Sequence, residues 1–277
     1  MNYNFFHNKV AVVTGAGSGM GRSMARQLAG HGCHVALSDI NADALAETVD
    51  GLNGEIYTET LDVADREAFF RHAENVKQRF GPADIIINNA GVSVLERLAK
   101  TTGEDFNWVM NINFWGVVNG TQAFLSDMIE RGSGTVVNMS SINGLIALPS
   151  QGAYTSSKFA VRGFTECLRL EMLQENTGVH VVCVHPGVIN TNIAENTRFY
   201  SDPLGRTNKQ EVVDEFKQMA GVTPDQAAEK IIKAIVKNQP RVLIGKDAHF
   251  IERVQHWRPV HYARTLKFVD SLLRKRK

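Results

Sequence analysis

The stretch Val10-Ala11-Val12-Val13-Thr14-Gly15-Ala16-Gly17-Ser18-Gly19-Met20-Gly21 joins an apolar run to a glycine-rich turn. Four apolar residues followed by threonine and glycines predict a short buried strand, and residues 22–31 have helical character. A glycine-rich turn between a strand and a helix lets the backbone approach a pyrophosphate and directs helix N–H groups towards it. The glycines fall at positions 15, 17, 19 and 21, so the literal GxGxxG spacing is absent and a plain tight turn is the alternative.

The rest of the chain repeats this alternation of strand and helix. Further strands are predicted at residues 34–38, 56–61, 85–87, 135–139, 179–184 and 241–244. Helices are predicted at residues 41–52, 104–130 and 150–174, with one more that ends at residue 80 and another that begins at residue 223. Such alternation predicts an α/β fold with a doubly wound parallel sheet, Rossmann-type, in three α/β/α layers. We expect one catalytic domain over residues 1–245, in which the polar and irregular residues 190–222 form a lid.

An acid, Asp39, ends the second predicted strand. Its carboxylate could accept hydrogen bonds from the ribose hydroxyls of an adenosine and would repel a 2′-phosphate. The simpler alternative is that Asp39 caps the next helix. Ser18, Asp39 and Ile40 stand where a 2′-phosphate would need a cation, and none is basic, so the sequence favours NAD over NADP.

The composition excludes several other classes of protein. The chain has 277 residues, of which 43% are hydrophobic and 21% charged, and a net charge of +1, so no bulk field selects nucleic acid or membrane. Cys33, Cys167 and Cys183 lack metal-type spacing, and we expect them to be reduced, with Cys167 and Cys183 in the core. No signal-peptide pattern and no apolar run near the ~18 residues of a membrane span are found. We therefore expect a cytoplasmic protein without a metal site.

The segment Tyr154-Thr155-Ser156-Ser157-Lys158 is the candidate for chemistry. It begins a predicted helix, and residues four apart on a helix share one face. A phenol titrates near ~10, but a neighbouring cation favours the phenolate. A tyrosine–lysine pair is thus a plausible proton donor and acceptor for an alcohol or a carbonyl. A solvated helix face is the alternative if the pair stands alone.

Taken together and in order, these segments resemble the short-chain dehydrogenase/reductase family from about residue 9 to residue 244. Four segments match cofactor-binding motifs of the family: residues 14–21 its TGxxxGxG loop, Asp62 and Val63 its adenine-contacting pair, residues 88–91 its NNAG turn, and residues 186–191 its PG motif. The catalytic residues match as well. Asn113 corresponds to the active-site asparagine, Ser141 to the catalytic serine, and Tyr154 and Lys158 to the YxxxK pair.

The resemblance implies reversible hydride transfer with NAD or NADP and a role for each matching residue. Tyr154 would exchange a proton with the substrate oxygen, and Ser141 would hold that oxygen. Lys158 would lower the pKa of Tyr154 and bind the nicotinamide ribose, while Asn113 would position a water that links Lys158 to solvent. The implied cofactor contacts are Gly15, Ser18, Gly19, Met20, Gly21, Asp39, Ile40, Asp62, Val63, Asn89, Ala90, Gly91, Tyr154, Lys158, Pro186, Gly187, Val188, Ile189 and Thr191. Family members are usually dimers or tetramers, so a homodimer or homotetramer through the helices at 104–130 and 150–174 is expected.

Ser140 and His185 could be mistaken for catalytic residues. Ser140 precedes Ser141, but strand alternation directs the two side chains to opposite faces, and the family spacing selects Ser141. His185 stands where many relatives have asparagine. We interpret it as a strand-end histidine with a satisfied hydrogen bond and assign it no catalytic role.

The substrate pocket is expected to be lined by mostly apolar residues after Gly91, after Ser141 and in the lid. The candidates are Val92, Val94, Leu95, Leu145, Ile146, Leu148, Ile193, Phe199, Tyr200 and Met219. Such a lining suits an apolar secondary alcohol or ketone better than a sugar, although half of these residues could be ordinary core.

Residues 246–277 extend beyond the common family core. Apolar residues alternate there with Arg and Lys, and Pro259 separates two predicted helices. Three interpretations remain open: packing on the pocket rim or on a second subunit, a solvated extension, and an amphipathic anchor at a membrane surface.

Two rival functions also remain open. The first keeps the fold but prefers NADPH and acts as a carbonyl reductase. The second is a catalytically silent dinucleotide sensor, which would be expected to lack one of Asn113, Ser141, Tyr154 and Lys158, and all four are present.

Overall fold

A seven-stranded parallel sheet forms the centre of the molecule. The computed structural model describes residues 3–265. The strands are β1 Val10–Thr14, β2 His34–Asp39, β3 Ile56–Thr60, β4 Ile85–Asn88, β5 Val94–Leu95, β6 Gly134–Met139, β7 Val179–Pro186, β8 Arg198–Phe199 and β9 Arg241–Ile244. The large sheet has the order β3-β2-β1-β4-β6-β7-β9, and each neighbouring pair in it is parallel.

Helices cover both faces of this sheet. They are α1 Gly19–Gly30, α2 Ala42–Val49, α3 Arg66–Phe80, α4 Gly103–Met110, α5 Gly116–Arg131, α6 Gly152–Gln174, α7 Lys209–Met219, α8 Pro224–Val236 and α9 Lys246–Trp257. Within β1, Ala11 and Val13 face the core shared with α1, α2 and α8, whereas Val10 and Val12 face the core shared with α3, α5 and α6. A strand buried on both faces reads as a nearly continuous apolar run, as Val10 to Val13 of β1 do. The predicted doubly wound, three-layer α/β fold is confirmed.

The helix starts follow from short polar side chains. Asn41, Asp65 and Thr102 each accept a hydrogen bond from a backbone N–H of the first turn of α2, α3 and α4. Ser18 precedes α1 without making such a bond, and the first turn of α1 contains no acidic residue. The N-terminal N–H groups of α1 are therefore not neutralised by the protein's own side chains.

The long helix predicted at 104–130 is interrupted by one π-helical turn. α4 and α5 are joined by Asn111–Trp115, in which the N–H of Gly116 bonds to the carbonyl of Asn111. Such turns inside helices are frequent at functional sites. This turn buries Asn113 completely.

The lid region is more regular than the sequence analysis predicts. β8 pairs with β5 as a second, two-stranded sheet, and residues 209–219 form α7, which Asn208 caps. The interpretation of residues 190–222 as irregular is wrong for these two segments. The spacing of Val212, Phe216 and Met219 is helical and was the available signal.

Cys167 is exposed, so its predicted place in the core is wrong, whereas Cys183 and Cys33 are buried and all three are unpaired. The face of α6 that packs inward carries Val161, Leu168 and Met172, and Cys167 lies one residue off that face. Its thiol instead bonds to the Glu171 carboxylate at 3.4 Å.

Two separate helical segments are found after residue 245, as Pro259 predicts. α9 ends at Trp257, and residues 262–265 are helical again. The predicted apolar positions 266, 268, 269, 272 and 273 and the basic residues 274–277 lie outside the described residues. Among residues 3–265, no helix combines the length and apolarity that crossing a bilayer requires.

Candidate active site

Two adjoining cavities open at the carboxyl ends of the parallel strands. The first, here the tyrosine cavity, has a volume of about 290 Å³ and is lined by Ser141, Tyr154 and Lys158. The second, here the glycine-loop cavity, has about 260 Å³ and is lined by Gly15, Ser18 and Asp39 among others. β1 lies between β2 and β4, where the strand order reverses, and ligands of such sheets bind in the crevice at this point.

The glycine loop packs so closely on the backbone of Ala90 that a side chain at position 15 would not fit. Gly15 has φ +63°, and a Cβ there would lie 2.8 Å from the Cα of Ala90. Gly19 also has a positive φ, +51°. Glycine is the residue that adopts these angles without cost. The loop therefore exposes backbone rather than side chains to the cavity, as a pyrophosphate would require.

The turn after β4 anchors this loop. The Thr14 hydroxyl accepts hydrogen bonds from the N–H groups of Asn89 at 3.0 Å and Ala90 at 3.1 Å, and the Asn89 amide donates to the carbonyl of Thr14 at 3.0 Å. Gly21 lines neither cavity, because it lies behind the loop, where any side chain would overlap the carbonyl of Gly15. Its contribution is close packing of α1 rather than a surface for the cofactor.

Asp39 contacts the glycine loop as well as the next helix. One carboxylate oxygen accepts from the N–H of Gly17 at 2.9 Å and the other from the N–H of Asn41 at 3.0 Å. The cap of α2 itself is Asn41, so helix capping alone does not account for Asp39. Its carboxylate and Ile40, which is 69% exposed, line the glycine-loop cavity.

Tyr154 and Lys158 lie on one face of α6, as their spacing predicts. The Lys158 Nζ lies 5.6 Å from the centroid of the Tyr154 ring and donates a hydrogen bond to the carbonyl of Met139 at 2.8 Å. Lys158 is almost completely buried, whereas Tyr154 is half-buried. Both line the tyrosine cavity, so the pair does not form a solvated helix face.

Burial is the largest influence on the pKa of both Tyr154 and Lys158. It raises the pKa of Tyr154, and a hydrogen bond with the Ser141 side chain acts in the opposite direction. It lowers the pKa of Lys158 to about 8. Burial of the phenol is the largest influence on its pKa and acts against the phenolate, and the expected lowering of that pKa by Lys158 stays a prediction.

The structure separates Ser141 from Ser140. Ser141 bonds to the Tyr154 phenol, whereas the Ser140 hydroxyl donates to the carbonyl of Lys158 at 2.9 Å. His185 is fully buried, its Nδ1 lies 3.0 Å from the carbonyl of Ser141, and burial lowers its pKa to about 4. A neutral ring thus supports the backbone of Ser141, in agreement with the satisfied strand-end histidine of the sequence analysis.

Asn113 lies behind the tyrosine cavity and does not line it. Its amide accepts from the N–H of Val92 at 2.8 Å and donates to the carbonyl of the same residue at 2.9 Å, and it also donates to the Ser157 hydroxyl at 3.1 Å. All of these bonds are internal, so the side chain of Asn113 fixes the segment after β4 against α6. Its implied role in positioning a water stays a prediction.

The other predicted cofactor contacts collect around the two cavities. Those that line at least one of them are Gly15, Ser18, Gly19, Met20, Asp39, Ile40, Asp62, Val63, Asn89, Ala90, Gly91, Tyr154, Lys158, Pro186, Gly187, Val188, Ile189 and Thr191. Segments from five strand ends and α6 contribute to this set. The residues present thus fit a dinucleotide: exposed loop backbone and an unneutralised helix N-terminus for the pyrophosphate, and a carboxylate for a ribose.

The wall of the tyrosine cavity away from the glycine loop is mostly apolar. Of the predicted substrate contacts, Leu95, Leu148, Ile193, Phe199 and Met219 line it. The other five candidates do not line this cavity: Val92 lines the glycine-loop cavity, Val94, Leu145 and Ile146 are buried in the core, and Tyr200 bonds to Asp105. The cavity is also lined by residues that were not predicted from the sequence: Val212, Val213 and Phe216 of α7 and the polar Asn143 and Gln151.

The segment predicted to form a lid is tied to the residues after β4 by the pairing of β8 with β5. The Arg198 guanidinium donates to the Asp105 carboxylate at 2.8 Å and stacks 3.8 Å from the Trp108 ring, and the Ser201 hydroxyl donates to Glu96 at 2.7 Å. Hydrogen bonds from Arg198 and other groups hold the pKa of Asp105 below its usual range. Within residues 3–265, no group of three or more His, Cys, Asp and Glu is placed to hold a metal ion.

Comparison with known proteins agrees with this geometry. The family model for short chain dehydrogenases matches residues 9–200. The chain belongs to the short-chain dehydrogenase family. SadH of Mycobacterium tuberculosis is 43% identical over 252 residues, which cover 89% of this chain and 90% of that protein. The bovine dehydrogenase/reductase SDR family member 7B is 36% identical over 250 residues, which cover 87% of this chain and 74% of that protein.

Solved structures of the family share the fold. A short chain dehydrogenase/reductase from Burkholderia phymatum, crystallised in complex with NAD, superposes with a TM-score of 0.85 at 27% identity, covering 91% of this chain and 94% of that one. Like these short-chain dehydrogenases, the protein is an NAD(P)-dependent dehydrogenase/reductase that acts on a small molecule. The predicted family and fold are confirmed, and the cofactor is a nicotinamide dinucleotide.

Proposed function

We propose that the protein interconverts apolar secondary alcohols and ketones with NAD(H), with Tyr154 as the proton donor and acceptor. One observation carries this proposal. The Tyr154 phenol, bonded to Ser141 and next to Lys158, lies in an apolar cavity that adjoins the glycine loop. A silent dinucleotide sensor would not need this constellation beside the cofactor cavity.

Each residue has a separate task in the proposed reaction. The nicotinamide ring accepts or supplies the hydride when it is bound. Ser141 donates a hydrogen bond to the substrate oxygen and Tyr154 exchanges a proton with it. Because burial raises the pKa of Tyr154, the phenol keeps its proton and suits ketone reduction. For alcohol oxidation, the phenolate would need the positive charges of Lys158 and of the oxidised nicotinamide.

Selection of NAD over NADP is proposed to depend on Asp39. Its carboxylate lines the glycine-loop cavity together with the uncharged Ile40. A ribose diol can donate to this carboxylate, whereas a 2′-phosphate would meet a like charge. The rival, an NADPH-dependent carbonyl reductase, would require the wild-type enzyme to prefer NADPH.

Asp39→Asn is expected to lower the preference for NAD over NADP, measured as the ratio of kcat/KM values, by about tenfold to a hundredfold, since hydrogen bonds to a charged group contribute ~1.5–3 kcal/mol. The amide keeps an acceptor oxygen for only one of the two N–H groups, Gly17 or Asn41, so a thermal melt has to accompany the kinetics and show that the variant is folded. Asp43→Asn, in the exposed first turn of α2, is the matched control. An unchanged ratio in Asp39→Asn would exclude Asp39 as the determinant.

The apolar wall supports an apolar substrate. Phe216→Ala is expected to raise KM for bulky apolar alcohols by about tenfold or more, because burying an aromatic side chain contributes ~1.5–3 kcal/mol. A small alcohol such as 2-propanol, which cannot reach α7, should change little. Phe70→Ala removes a partly exposed phenylalanine of α3 outside both cavities and serves as the control. Turnover of sugars or polar hydroxy acids alone would contradict the proposed substrate class.

We also propose a homodimer or homotetramer, formed through the paired helices α5 and α6. Exposed apolar side chains on these helices support this assembly, among them Ile129, Leu170 and Leu173. Exposed patches of this kind commonly mark interfaces. Sedimentation equilibrium of the purified chain measures the assembly directly, and a monomer would contradict it.

A further inference from the structure

The turn at the end of β7 is held by a residue from outside the sheet. The N–H of Val188 donates to the Asp247 carboxylate at 2.7 Å. Asp247 lies in the first turn of α9, 59 residues further along the chain. Pro186, Gly187 and Val188 line the tyrosine cavity, whereas Asp247 does not.

Two glycines make room for this carboxylate. A side chain at Gly187 would overlap both oxygens of Asp247, and one at Gly245 would overlap Oδ1. Gly245 has φ +101°, but Gly187 has no positive φ, so no unusual backbone angle demands glycine at 187. The physical reason for glycine at this position is therefore the space that the Asp247 carboxylate occupies.

The same C-terminal segment contacts a second loop of the site. The N–H of Ala147 donates to the Tyr262 hydroxyl at 3.1 Å, and α9 packs on the short helix Ile142–Gly144, which follows Ser141. Residues after 245 thus touch both loops that flank Tyr154. This geometry favours packing on the pocket rim among the three interpretations of the extension.

We propose that Asp247 is a positioning residue that holds the Pro186–Val188 turn in the shape required by the nicotinamide end of the cofactor. The proposal rests on the proposed function: the nicotinamide must reach the substrate oxygen at Tyr154, and this turn lines the same cavity as Tyr154. A carboxylate that accepts from a backbone N–H forms one of the stronger protein hydrogen bonds. Through this hydrogen bond, α9 supports the cofactor site although none of its residues lines either cavity.

The first test needs no cofactor. In Asp247→Ala, amide hydrogen exchange at Val188 should accelerate, because its N–H loses the acceptor, while Asp247→Asn should retain part of the protection through its amide oxygen. Glu252→Gln is the matched control, since Glu252 lies on the same helix but bonds to Arg241 at 3.2 Å. Unchanged exchange at Val188 in Asp247→Ala would overturn the proposal.

The second test separates the nicotinamide end from the rest of the cofactor. Asp247→Ala should weaken NADH binding, followed by fluorescence titration, about tenfold. Binding of ADP-ribose, which lacks the nicotinamide, should stay within about twofold of wild type because the glycine loop is untouched. Equal weakening of both ligands, or of neither, would overturn the positioning role. Wild-type protein that binds neither ligand would refute the proposed function and this inference with it.

A double variant tests the contact itself. Gly187→Ala alone should weaken NADH binding, because the new methyl group displaces the carboxylate. In the Asp247→Ala background the same change should cost less by about tenfold, since the obstacle is gone, and residues in contact show such coupling. Equal costs of Gly187→Ala in both backgrounds would show that the two residues act independently and would contradict the proposal.

Discussion

Tyr154→Phe is expected to lower kcat by about 10²- to 10⁴-fold, the range that a positioned proton donor or acceptor contributes. The affinity for NADH should stay within about threefold of wild type, because phenylalanine keeps the ring of Tyr154 and lacks only the hydroxyl that is proposed to exchange a proton with the substrate. Steady-state turnover of a secondary alcohol and fluorescence titration of NADH measure the two quantities separately.

Tyr154→Phe is expected to remove a hydroxyl without changing the packing of α6. The ring of Tyr154 is half-buried on α6, and phenylalanine fills the same volume, so the fold should not change. What is lost is the hydroxyl and its bond to Ser141. Tyr57→Phe is the matched control, since the Tyr57 hydroxyl bonds to Glu59 at 2.7 Å and lies outside both cavities. Turnover of Tyr154→Phe near that of the control would refute the assigned role.

Lys158→Met is expected to lower kcat/KM by about 10²-fold or more and to weaken NADH binding about tenfold. The Lys158 ammonium is buried beside the Tyr154 ring. Among the residues that line the two cavities, the other lysine or arginine is Lys209 of α7. Loss of Lys158 removes the cation proposed to stabilise the phenolate and to bind the nicotinamide ribose. Kinetics with saturating cofactor separate the two effects.

The control for Lys158→Met has to account for stability. The variant leaves the carbonyl of Met139 without its donor, and an unpaired buried polar group costs ~1–3 kcal/mol, so a lower melting temperature is expected. ADP-ribose binding equal to wild type would show that the glycine loop is still folded. Lys77→Met removes an exposed lysine that bonds to Asp127 at 3.0 Å and should leave kinetics unchanged. Turnover of Lys158→Met within about threefold of wild type would contradict its role.

Most of the sheet could be predicted because its signals are local. Most strands of the large sheet contain a short apolar run bounded by glycine, proline or a polar residue, and Asn41 and Thr223 mark helix starts by their own chemistry. The lid was harder to predict, since its helix α7 is amphipathic, with Val213 buried and most of its other residues exposed. The helical spacing of Val212 and Phe216 was present and was masked by the polar residues around them.

Three properties of residues in and near the site depend on tertiary packing. The pKa of Tyr154 depends on how much water the folded chain removes from the phenol, which spacing does not reveal. The exposure of Cys167 depends on which side of α6 faces the sheet. The role of Asn113 was predicted from its motif, whereas its bonds to Val92 and Ser157 follow from the π-helical turn and the loop after β4.

By itself, the amino-acid sequence determined the doubly wound sheet, the glycine loop with its acid at Asp39, and the spacing of Tyr154 and Lys158, because each is a pattern of a few neighbouring residues. Only the tertiary structure decided which distant residues complete the site: Phe216 in the apolar wall, His185 behind Ser141, and Asp247 on the turn after β7. The reason is that a contact between residues far apart in the chain depends on how helices and strands pack. Packing is set by all of the buried surfaces together and not by any one segment.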